Sequence, residues 1–239
     1  METLAAGAAG MGLSLTRRQL DQFETYYREL VARNRDVNLT RITDYEDVQV
    51  RHFLDSLTCL PLLRAAGPLE GKRVIDLGSG AGFPGLPVKI TAPELPVILL
   101  EATGKKADFL RHMVKLLDLK NVEVIAGRAE EVGHTPAFRE RFDFVLARAV
   151  AALPALAELM LPLCRVGGAC IAFKKGAVEA EAADARRAIE LLGGKPAALH
   201  RVDLLPGETD RCLVVIEKGS VTPDNYPRRP GIPEKRPLR

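Results

Sequence analysis

The chain has 239 residues, of which 47% are hydrophobic, 27% charged and 5% aromatic, with no Trp and a formal net charge of +3. These values suit one ordinary α/β domain with a modest extension and exclude disorder along the whole chain. No apolar run approaches the roughly 18 residues of a membrane span, and the net charge alone is too small to identify a nucleic-acid partner.

The first dozen residues are mostly Ala and Gly with Glu2 near the start. They lack the basic region and longer apolar core of a secretory signal and read as a frayed terminus. Thr16-Arg17-Arg18-Gln19 has the form of a capping box, and Leu20, Phe23, Tyr27, Leu30 and Val31 recur at helical spacing. A helix over about 16–34 is expected. Thr43-Asp44-Tyr45-Glu46 repeats the signal before Val48, Phe53, Leu54 and Leu57, so a second helix precedes the sheet.

From about residue 72, short β-rich runs alternate with helical patterns, which predicts a mostly parallel sheet covered on both faces. The strands fall at 73–77, 97–101, 122–126, 142–147 and 169–173, and the clearest helices at 105–117, 154–163 and 178–192. Segments 198–202 and 213–217 follow without an intervening helix and predict an antiparallel edge pair, giving seven strands. Beyond Gly219 five prolines interleave with Arg228, Arg229, Lys235, Arg236 and Arg239. That composition predicts an extended tail, ordered where it packs. The organisation expected is a flexible N-terminus over 1–15, a helical cap over 16–66, a cofactor-binding core over 67–218 and a basic, proline-rich tail over 219–239.

The first strand runs directly into Gly78-Ser79-Gly80-Ala81-Gly82-Phe83-Pro84-Gly85. Glycines where a strand turns into a helix permit tight turns and close approach of a nucleotide-like ligand. The next strand ends in Glu101, placed to accept hydrogen bonds from both ribose hydroxyls of an adenosine. NAD and S-adenosyl-L-methionine (SAM) both meet that description. Their glycine spacing separates them: G-x-G-x-x-G would need glycine at 83, where Phe83 stands, whereas Gly78, Gly80 and Gly82 give G-x-G-x-G. The closer spacing resembles motif I of class I SAM methyltransferases, and no P-loop sequence is present.

Gly127-Arg128-Ala129-Glu130-Glu131 follows the third strand, where backbone groups and one carboxylate can reach an adenine edge; it is equally an ordinary acidic helix start. Arg148 ends the fourth strand at the carboxyl edge, where open α/β sheets bind ligands. No Asn-Pro-Pro-Tyr segment for exocyclic-amine methylation and no Pro-Cys nucleophile occurs. The four histidines lack metal-site spacing, so no metal is expected. Cys59, Cys164, Cys170 and Cys212 lack C-x-x-C spacing and suit a reducing cytoplasm. Transfer to an already nucleophilic lone pair, which needs positioning above all, is favoured.

With these segments in view the sequence resembles the RsmG (GidB) family of bacterial 16S rRNA guanine-N7 methyltransferases. The likeness runs through Asn38-Leu39-Thr40, Arg51-His52-Phe53-Leu54-Asp55-Ser56, Asp76 to Gly85, Gly104-Lys105-Lys106, Phe109-Leu110-Arg111, Arg148-Ala149 and Tyr226-Pro227-Arg228-Arg229-Pro230-Gly231. It implies a Rossmann-like fold and methylation of N7 of guanine 527 in the 530 loop of 16S rRNA. The partner implied is that RNA or the small ribosomal subunit, met by a monomer without a membrane. SAM contacts are implied at Gly78, Gly80, Phe83, Glu101, Ala102, Thr103, Ala129, Glu130 and Arg148. The family often has Ser before that arginine, where this chain has Ala147.

Arg148 and the Arg51-His52 pair are the candidates for orienting the base or its phosphates, and Lys174, Lys175, Arg228 and Arg229 for tracking the RNA backbone. His52 and Asp55 are read equally as structural hydrogen-bonding residues. Two alternatives stay open: a methyltransferase of another acceptor on the same fold, and a non-catalytic RNA-binding module.

Overall fold

The computed structural model describes residues 1–204 and 210–238. The N-terminal part contains α1 (Glu2–Gly10), α2 (Arg17–Val37), α3 (Tyr45–Val48), a π-helical turn (Gln49–Leu54), α4 (Asp55–Leu57) and α5 (Leu60–Ala65). The sheet region follows as β1 (Val74–Leu77), α6 (Gly85–Thr91), β2 (Val97–Glu101), α7 (Gly104–Leu116), β3 (Val122–Ala126), α8 (Ala129–Val132) and β4 (Phe142–Arg148). It is completed by α9 (Leu153–Met160), β5 (Cys164–Lys175), α10 (Glu179–Leu191), β6 (Ala198–Val202) and β7 (Arg211–Glu217), and α11 (Ile232–Lys235) lies in the tail.

The seven strands lie in the order β3-β2-β1-β4-β5-β7-β6. β1 to β5 are parallel, and β7 pairs antiparallel with both β5 and β6. The expected edge pair forms, with the last strand inserted between its partner and β5. Along β1 and β2 alternate residues face opposite layers. Val74, Val97 and Leu99 join the core shared with the N-terminal helices, while Ile75, Leu77, Ile98 and Leu100 join the core under α9 and α10. The period of two is the pleat of a strand buried on both faces.

At the N-terminus the structure corrects the reading of a frayed segment. Residues 2–10 are helical, with Leu4 and Ala8 fully buried. Their i, i+4 spacing makes one small apolar face that lies on the π-helical turn, where a Cβ added at Gly7 would meet a Leu54 methyl at 2.4 Å. The segment has no capping side chain and almost no charge, so its order comes from tertiary burial instead of local signals. The Thr16 capping box forms with both reciprocal hydrogen bonds. The second helix is capped by Asp44, whose carboxylate accepts from the Glu46 and Asp47 amides, and Thr43 lies outside it.

The tail packs on the core. Arg139 donates to the carbonyls of Thr222 and Tyr226, both at 2.8 Å. Buried Lys218 holds its start, donating to the Leu161 carbonyl at 2.8 Å and bonding to Thr222 Oγ1. All four cysteines are buried free thiols, and no described helix is long and apolar enough to cross a membrane.

Candidate active site

Two cavities lie at the carboxyl edge of the parallel strands, lined by successive residues of the loop after β4, where parallel α/β sheets bind ligands. The first, about 140 Å³, lies over the ends of β1, β2 and β3 and is lined by Leu77, Gly78, Leu100, Ala102, Ala129 and Glu130 among others. Gly78 has φ +69°, and a Cβ there would come within 2.7 Å of a Val150 methyl. Glycine is needed both for the left-handed backbone and for the close approach of the loop after β4.

Glu101 organises the turn. Its carboxylate accepts from the Gly80 amide and from the Thr103 amide, each at 2.8 Å. One side chain thereby ties the glycine turn to the end of β2. Buried Asp76 accepts from the Gly85 amide at 2.9 Å through one oxygen, and its other oxygen has no partner. Burial pushes its carboxyl up to about 7 against the pull of that amide bond.

The second cavity, about 410 Å³, is lined by Ile42, Arg51, His52, Asp55, Arg148, Ala149, Phe173, Lys174, Lys175 and Arg211. Its centre is Arg148. One nitrogen donates to Asp55 at 2.9 Å and to the Arg51 carbonyl at 3.1 Å, and another lies 3.1 Å from His52 Nδ1. A guanidinium only donates, so Nδ1 accepts and the ring proton sits on Nε2, donating to Thr40 Oγ1 at 2.7 Å. Burial, reinforced by the Arg148 charge, pushes His52 down from its ordinary 6.5 to about 3. It is a neutral imidazole at physiological pH.

That shift carries a stability consequence. Between about 6.5 and 3 the unfolded chain protonates this histidine and the folded chain does not, so its contribution is present above 6.5 and lost as pH falls toward 3. Urea titrations at pH 7 and 4.5 should show His52→Gln losing less stability over that interval than the wild type. An equal loss would mean that the ring titrates normally.

The structure separates the residues expected around the cofactor. Gly78, Ala102, Ala129 and Glu130 line the first cavity, with Gly80, Glu101 and Thr103 in the shell that shapes it. Phe83 lines neither cavity. Its ring stacks with those of His52, at 4.5 Å, and Tyr26, at 5.4 Å, and the Arg148 guanidinium lies 4.9 Å from its centroid. It locks the helical cap onto the glycine turn, helped by the Tyr26 hydroxyl donating to the Ala81 carbonyl at 2.5 Å. Arg148, read both as a cofactor contact and as a group orienting the base, lines the second cavity with Arg51, His52, Lys174 and Lys175.

Among the cations expected to track RNA, Arg228 is engaged within the fold. Its guanidinium is bound by the fully buried carboxylate of Glu158, with contacts of 2.6 to 3.1 Å. Lys174 is half-buried and held by Glu181 and the Ala151 carbonyl, both at 2.8 Å. Lys175 and Arg229 are exposed.

Arg211 was missed by the sequence reading. It opens β7, opposite Lys175 in the register, and lies 3.6 Å from Asp55. Because β7 runs antiparallel, its first residue reaches the edge where the parallel strands end. Only its place in the sheet reveals this.

The family model described as GidB, rRNA small subunit methyltransferase G, matches residues 19–205. A ribosomal RNA small subunit methyltransferase G of Dehalococcoides mccartyi is 49% identical over 238 residues, 100% of both chains. One of Roseiflexus castenholzii is 51% identical, again over 100% of both. Among solved structures, a predicted O-methyltransferase from Agrobacterium tumefaciens superposes with TM-score 0.53 at 23% identity, over 70% of this chain and 80% of that one. It shares the Rossmann-like fold. With the glycine turn and the Arg148 cluster in place on that fold, and relatives matched end to end, the chain belongs to the rRNA small subunit methyltransferase G family.

Proposed function

We propose that the chain transfers the methyl group of S-adenosyl-L-methionine to N7 of guanine 527 in the 530 loop of 16S rRNA. The observation that carries this is the loop after β4. Arg148 and Ala149 line the larger, cationic cavity, while the next residues, Val150 and Ala151, line the smaller one. Ala149 between them has φ +57°, a left-handed conformation that a residue with a side chain adopts only when its surroundings impose it. A cofactor on one side of this loop and an acceptor base on the other are neighbours.

The residues present fit SAM. Leu77, Leu100, Val150 and Ala129 form an apolar slot, Glu130 brings a carboxylate to it, and Glu101 ends the adjacent strand. Bound there, the cofactor supplies a methyl group on a positively charged sulfur.

The chain's own residues position the acceptor. N7 of neutral guanine carries no proton, so its lone pair attacks without a general base. The surroundings agree: Asp55 is committed to Arg148, and the His52 Nδ1 lone pair is occupied by the same guanidinium. Arg51, Lys175 and Arg211 give the cavity a positive rim suited to RNA phosphates, with exposed Arg229 further out on the tail. The protein acts as a cytoplasmic monomer on 16S rRNA, alone or within the small ribosomal subunit.

Incubating the protein with tritiated-methyl SAM and small subunits lacking the modification should label rRNA. Labelled ribosomal protein with unlabelled rRNA would overturn the assignment.

A further inference from the structure

The basic tail, which from composition suggests an RNA-binding strap, is built into the smaller cavity. Gly231, Pro233 and Glu234 close one side of it, and Pro233 is buried. The tail is clamped on the way there. Both the backbone amide and the guanidinium of Arg228 bond to Glu158 on α9, the amide at 2.8 Å. His134 Nε2 lies 2.6 Å from the Pro227 carbonyl and donates to it, since a carbonyl only accepts. Glycine at 133 leaves room for this crossing: a Cβ there would meet the Pro227 ring at 2.9 Å.

At the end of the clamp the Gly231 amide donates to Glu130 Oε1 at 2.8 Å. Gly231 has φ +78°, a conformation natural to glycine, and this turn presents the amide to the carboxylate. Glu130 itself lines the cavity. Its other walls include the apolar side chains of Leu77, Leu100, Val150 and Leu159 together with the charged Arg128.

We propose that tail residues 231–234 form the fixed outer wall of the adenine slot: Pro233 packs against the heterocycle, and the Gly231 amide orients Glu130 toward the adenine amino group. This rests on the SAM reading above. It makes the tail a positioning element for the cofactor, with Arg228 and Glu158 as its anchor.

Calorimetry on three forms of the protein tests the idea: the full chain, Pro233→Ala, and a chain ending at Pro230, which keeps the Arg228 anchor. The ligands are S-adenosylhomocysteine and its hypoxanthine counterpart, S-inosylhomocysteine, whose exocyclic C6 carbonyl oxygen would face a carboxylate. The full chain should bind the first and discriminate against the second by at least about tenfold, the worth of one hydrogen bond to a charged group. Pro233→Ala should weaken S-adenosylhomocysteine about tenfold, as expected when roughly two methylenes leave a buried apolar contact. The shortened chain should bind more weakly still and lose most of its discrimination, a change that mere loosening of the surface would not produce.

Failure of the full chain to bind S-adenosylhomocysteine would overturn the cofactor reading and this inference with it. Full-chain binding that both variants match, with unchanged discrimination, would overturn the tail inference alone.

Discussion

Gly78→Asp should lower SAM affinity at least about a hundredfold while circular dichroism still reports the folded chain. The position is already strained for any side chain, with φ +69° and a Val150 methyl 2.7 Å from a built Cβ. Asp tolerates the left-handed region at a cost of about 1–2 kcal/mol, within the stability of an ordinary domain. The larger effect falls on the ligand. The new carboxylate would stand in the slot lined by Leu77, Leu100 and Val150, and covering it with an apolar ring would strip its water without a compensating partner. A loss of a hundredfold corresponds to about 2.7 kcal/mol, and burying an unpaired charge readily exceeds it. Undiminished calorimetric binding would place the cofactor elsewhere.

Arg148→Ala is expected to do two kinds of damage. The side chains of Arg148 and Asp55 are only 14% and 6% exposed, so removing the cation leaves a carboxylate in a poorly solvated site. Breaking such a pair costs roughly 3–5 kcal/mol, and Arg211, 3.6 Å from the same carboxylate, should hold the loss near the lower end. Urea denaturation measures it directly. The second effect is on transfer: the substitution removes the cation stacked on Phe83 and the donor that occupies His52 Nδ1. Methyl transfer should fall at least about a hundredfold, as when a positioning group is lost, while S-adenosylhomocysteine binding stays within a few-fold. Arg148→Ala combined with Asp55→Asn should regain most of the stability and none of the transfer. Recovery of transfer would make Arg148 a purely structural residue.

The parts of the fold legible in the sequence were those whose local pattern and tertiary role agree. Val97–Glu101, Val122–Ala126 and Ala198–Val202 form strands at the expected bounds, because β-rich runs between turn signals suit both backbone and burial. The first helix was illegible for the opposite reason. An Ala/Gly segment without a capping side chain owes its order to burial of Leu4 and Ala8 against a turn some forty residues later. Arg228 shows the same limit for charge. Its composition suggests a nucleic-acid contact, but its partner Glu158 lies 70 residues away. Phe83 stands in the sequence where a dinucleotide fingerprint would have glycine, but its neighbours Tyr26 and His52 come from the helical cap, and only the assembled fold brings them to it.

The glycine turn supports a nucleotide-like cofactor by itself, while the acceptor depends on the cationic cavity across the loop after β4. The most direct test is to methylate unmodified small subunits with the purified protein, digest the 16S rRNA to defined fragments and identify the product nucleoside by mass spectrometry. A single 7-methylguanosine at position 527 is the predicted result. A methyl on an exocyclic amine, on a ribose hydroxyl or at another nucleotide would contradict it.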